Sequence, residues 1–158
     1  MRARAVVCVL LTAACGGGGA HSPSSSERQA KAAFLAQAEA VCAQATADLH
    51  KLKSPKTNAE IAAYVHAVIA VARTSTDRLS ALSLPPADAA ALRTHVLEPL
   101  QRQGSAGADF DRQVQAVAAD QQKLLALLAS APTKTRADLP FMRSYGFRSC
   151  VTAADTGH

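Results

Sequence analysis

The sequence has no tryptophan, only six other aromatic residues and a single asparagine, Asn58. No segment alternates apolar and polar residues as a half-buried strand does, so a sheet has no candidate strands. No apolar run approaches the ~20 residues needed to cross a bilayer as a helix. There is no G-x-S-x-G elbow, no Cys/His/Asn signature and no C-x-x-C-H attachment site, which leaves hydrolytic and covalent haem chemistry without a motif. No run of Arg and Lys interleaves with aromatics, so nucleic-acid binding is not expected either. What the chain has in quantity is alanine, 36 of its 158 residues, and alanine is the strongest helix former. Its prolines and glycines gather between segments of helical periodicity. The expected fold is all-α: a small up-and-down bundle of three to four main helices plus a short C-terminal helix.

The N-terminus reads as an export signal. Met1-Arg2-Ala3-Arg4 is a charged start, Ala5 to Leu11 is apolar, and Thr12-Ala13-Ala14 supplies small residues ahead of Cys15. This segment resembles the lipobox of bacterial lipoproteins, with Thr12 where the pattern usually carries Leu. The resemblance implies cleavage after residue 14 and lipidation of Cys15, with palmitate-type acyl chains holding the protein on the outer face of a cell membrane. Residues 15–26 are expected to form a Gly/Ser tether with an r.m.s. span on the order of 18 Å. A Gly-rich run can also cradle phosphate, but that use needs a preceding strand and a following helix, and here an export signal precedes it. Losing Arg2 and Arg4 lowers the formal charge of +5 by two, to +3, so the mature domain is only mildly basic.

Export changes the meaning of the cysteines. Cys8 leaves with the signal and Cys15 is acylated, so Cys42 and Cys150 remain in a compartment where disulfides persist. They are expected to pair; a reactive thiol at either position is the competing reading. The first helix should run from about Glu27 to Lys53, with Phe34, Leu35, Ala38, Val41, Cys42, Ala45, Leu49 and Leu52 on one stripe. Ser54-Pro55 ends it. Thr57 and Glu60 form a capping box for the second helix, which stops before Pro85-Pro86. Residues 87–130 read either as one long helix or as two; Pro99 and Gly104-Ser105-Ala106-Gly107 favour a break near 104–107. A short helix begins around Thr135 to Asp138 and ends at Tyr145-Gly146, with a frayed tail over 151–158.

Phe34, Ala38 and Val41-Cys42 in an Ala-rich first helix, Leu84-Pro85-Pro86 midway and Tyr145-Gly146-Phe147-Arg148-Ser149-Cys150 near the end resemble a loose group of small helical lipoproteins of high-GC, actinobacterial-type bacteria. The resemblance implies a helical bundle over residues 27–150 with a disulfide from its first helix to its C-terminus, and no activity.

Few constellations carry chemistry. His95 and Glu98 form an H-x-x-E pair that a regular helix would place on one face, within reach of one metal ion; His50 and His66 are the imidazoles available to complete it. Met142 is the one axial methionine available to a haem. Asp109 and Asp111, two apart, should point to different faces at a helix start. His50, Lys51, Lys53 and Lys56 cluster at the first turn, either as contacts to anionic headgroups or wall polymers, or as cations favoured at a helix C-terminus. The expected function is non-enzymatic and cofactor-free: a membrane-anchored module that binds an envelope protein, a polymer or a small ligand. The alternative is a metal- or haem-handling envelope protein using His95 and Glu98.

Overall fold

The computed structural model describes residues 23–131 and 137–155, and among these it is all-α, with six helices and no strand. The expected leader, Cys15 and most of the tether lie outside the described residues.

Helix α1 spans Ser25–His50 and begins two residues earlier than the sequence led us to expect. Ser24 is the reason. Its hydroxyl accepts from the Glu27 backbone N–H while its own N–H donates to the Glu27 carboxylate, closing a capping box. Phe34, Ala38 and Cys42 are its buried residues. Helix α2, Asn58–Ser80, starts with the expected Thr57/Glu60 capping box. It lies between α1 and the third helix, so its buried line, Ala62, Thr76 and Leu79, is the seam of two interfaces rather than one broad stripe.

The third helix, α3, departs from the expected break. Ala89–Leu92 continues through a π-helical turn, Arg93–Leu97, into Glu98–Val117 without interruption at 104–107. Gly104 and Gly107 remain helical, and the chain turns instead at Ala118 to Asp120. The irregularity sits upstream because of Pro99. Proline has no N–H to give the carbonyl four residues back, and its ring crowds that carbonyl. That carbonyl belongs to His95, and it accepts from the Asp138 backbone N–H at 3.0 Å instead. The widened turn relieves the ring; its i→i−5 bond runs from Glu98 N–H to Arg93 C=O.

A Cβ on Gly107 would meet Ile69 at 3.7 Å, ordinary contact, so packing against α2 does not require glycine there. Gly107→Ala is therefore expected to stabilise the fold by about 0.5–1 kcal/mol, measured as a shift in the urea midpoint. An unchanged or lowered midpoint would mean that α3 is held by something other than helix propensity at this position.

Helix α4, Gln121–Ala129, is capped by Asp120 and folds back so that Leu124 meets Ala62 and Val114. These form a small second core. The main core lies at the other end and joins α1, the start of α3 and the C-terminal helices α5 (Leu139–Tyr145) and α6 (Ser149–Asp155). Asp138 caps α5, and Gly146, at φ 118°, ends it as expected. A Cβ at Gly146 would lie 3.2 Å from Leu35, so glycine is demanded there by conformation and by space. Helix α6 replaces the first part of the expected frayed tail: Val151 is buried in the main core.

Candidate functional site

Cys42 and Cys150 are joined, with their Cα atoms 5.0 Å apart and 108 residues between them. Polar bonding from one side chain accompanies the bridge. Glu39, one turn before Cys42, accepts from the Arg148 and Ser149 backbone N–H groups at 2.8 and 2.7 Å. A carboxylate from α1 thus caps the start of α6, satisfying donors that the short helix cannot satisfy itself. Burial raises the Glu39 pKa, but the Ser149 and Arg148 backbone bonds outweigh it and hold the group below its ordinary value. A depressed carboxylate contributes stability that is complete above its unfolded pKa and lost as pH falls through the folded one. Glu39→Gln should therefore loosen α6 by about 1 kcal/mol near neutral pH. Hydrogen exchange at Arg148 and Ser149 reads this directly: amides as protected as in the parent would contradict it.

Four of the six aromatic rings gather around this clasp. Phe34 meets Tyr145 and Phe147 edge-on, with centroids 6.3 and 6.0 Å apart, and Lys31 Nζ lies 4.0 Å from the Tyr145 ring centre. The Tyr145 hydroxyl donates to Asp88 at 2.8 Å; burial and that neighbouring carboxylate raise its pKa well above the usual phenol value. No sequence pattern links Asp88 to Tyr145, and only the fold brings them together.

His95 is the hinge of the same cluster. Its Nδ1 lies 3.0 Å from Asp138 Oδ2, its ring stacks on Phe141 at 4.6 Å, and its carbonyl takes the Asp138 N–H. Asp138 divides its oxygens between His95 and the Phe141 backbone N–H. The latter is the larger cause of its lowered pKa; burial opposes it, and the His95 bond adds to the lowering. Glu98, the other half of the H-x-x-E pair, lies 3.8 Å from Arg102. The chelate of the alternative reading presumes a regular helix, whereas His95 lies inside the π-turn and Glu98 follows it, which changes their angular relation. Among the described residues, no three His, Cys, Asp or Glu side chains converge as a metal site.

A second polar system runs along the crease between α2 and α3. His66 has a side chain that is 65% exposed, with Nδ1 2.7 Å from Asp111 Oδ2. Gln115 donates to Asp111 Oδ1 at 3.1 Å and to the Ala62 carbonyl at 2.9 Å. Burial raises the Asp111 pKa, but the His66 and Gln115 bonds and the charges of His66 and Arg73 bring it below normal. Asp109 faces outward and pairs with Arg112, so the two aspartates do diverge, in mid-helix rather than at a helix start. Farther along the crease a groove of about 400 Å³ opens beside Arg73, Asp77, Gly104 and Arg112.

The chain matches no known family model, no curated protein and no solved structure. Function therefore rests on the chain's own residues.

Of the remaining candidates, His50 is the last residue of α1, and Lys51 pairs with Asp48 at 2.7 Å. With Lys53 and Lys56 they lie at the far end of α1 from Ser24, about 39 Å away at 1.5 Å per residue. Met142 is buried within the main core.

Proposed function

We propose that the protein is a lipid-anchored, extracytoplasmic binding module with no catalytic role, held on its membrane through Cys15. The observation that carries this reading is the Cys42–Cys150 bridge, which suits an exported protein and agrees with the leader read from residues 1–14. No helix among the described residues is long and apolar enough to cross a membrane, so attachment would fall to the lipid. Two or more acyl chains would hold the domain stably, where one gives only marginal binding.

The anchor would join the chain ahead of Ser25, at the end of α1 opposite the α1–α2 turn and its lysines. A bundle held in this manner presents the crease between α2 and α3 along its side, open to soluble ligands. Anchoring is tested by fractionation. Cys15→Ser should move most of the protein from the membrane to the soluble fraction, and protein that stays with membranes would overturn the reading.

A further inference from the structure

Three locally unfavourable choices converge on the groove between α2 and α3. Gly104 sits in the middle of a helix, where glycine costs about 0.5–1 kcal/mol against alanine. Yet a Cβ there would meet only Arg73 Cγ, at 3.9 Å. Asp77 lies in the last turn of α2, Asn58–Ser80, where the helix dipole disfavours a carboxylate. Arg73, four residues earlier and also lining the groove, makes no hydrogen bond or ion pair among the described residues, although its charge is felt at Asp111. Asp77 has no side-chain partner among them either. The two face the same space with opposite charges, in the order along the helix that pairs less well. Local rules broken together, with no packing gain, mark a site kept for something other than stability.

We propose that this groove binds a small zwitterion of the amino-acid type, its carboxylate on Arg73 and its ammonium on Asp77. The groove, about 400 Å³ and open to solvent, has room for such a ligand with part of its hydration shell, and Gly104 leaves the floor clear for its backbone to approach. The lining is polar, with Arg112 held on the rim by Asp109, which favours a hydrated, charged molecule over an apolar one. A single anion would find Asp77 and Asp109 repulsive, and a single cation would meet Arg73 and Arg112; a zwitterion satisfies both signs.

This inference gives a ligand class to the binding module proposed above, and its failure is separable from failure of the anchor. Calorimetric titration of the full chain in detergent with a panel of free α-amino acids should show saturable binding of at least one. Acetate and ethylamine, each carrying one of the charges, should bind at least ten-fold more weakly. Arg73→Ala and Asp77→Asn should each weaken the bound amino acid roughly ten-fold or more, the loss of one charge-assisted contact. Gly104→Leu, which fills the groove beside Arg73 without removing a charge, should do the same, while Gly107→Ala, outside the groove lining, serves as the folding control. Absence of any amino-acid binding tighter than about 10 mM would overturn the proposal, as would binding that survives Arg73→Ala or Gly104→Leu in a variant with parental helicity. Fractionation of Cys15→Ser is read independently of all these results.

Discussion

Replacing Cys42 and Cys150 by alanine is expected to lower the stability of the folded chain by roughly 4–5 kcal/mol. The bridge closes a loop of 108 residues, which takes in α2, α3, α4 and α5. Closing so long a loop removes more freedom from the unfolded chain than a local bridge would. The folded state adds to this, because Cys42 and Cys150 both belong to the main core and Val151 beside them is buried. Without the bridge, α6 retains the Glu39 cap and its apolar contacts, and these are worth less than the loop entropy. Urea denaturation of the double variant, or of the parent under a reductant, gives the number. A loss below about 1 kcal/mol would mean that the C-terminal helices dock independently of the bridge.

Phe34→Ala is expected to cost about 3–5 kcal/mol, the range for truncating a buried aromatic ring. Phe34 is 4% exposed and holds the edges of both Tyr145 and Phe147. Its loss would leave a cavity against Tyr145 and Phe147. Phe34 and the cysteines share one cluster, so combining the variants should give less than the sum of their separate costs. The check is a double-mutant cycle in urea. Simple additivity would show that the ring and the bridge stabilise different parts of the fold.

The elements that local chemistry specifies were legible in the sequence. Thr57 with Glu60 and Gly146 after Tyr145 each satisfy backbone groups within a few residues, and each does so in the structure, whereas the cap of α5 is Asp138, at the end of the Thr135 to Asp138 stretch read as its start. The pairing of Cys42 with Cys150 was legible for another reason: the reading of the leader left these two cysteines over. The course of α3 was not. Gly104 to Gly107 weaken a helix but do not end it when α2 packs along that face, and tertiary contact overrode propensity there. The irregularity lies upstream of the expected break, because proline disturbs the carbonyl four residues before it, and a partner for that carbonyl comes from Asp138. The His66–Asp111 and His95–Asp138 pairs are separated by 45 and 43 residues and depend on how helices face one another. Periodicity within one helix carries no such information. The groove had a faint signal, glycines inside a long helical pattern, and it reads as a site only once Arg73 and Asp77 are seen across it.

Intact mass of the protein isolated from the membranes of its native host tests the account most directly. The predicted species begins at Cys15, carries acyl chains there, and is lighter by two hydrogens for the bond between Cys42 and Cys150. A chain that retains residues 1–14 without acylation, or one whose Cys42 and Cys150 both react with an alkylating agent in the folded state, would contradict it.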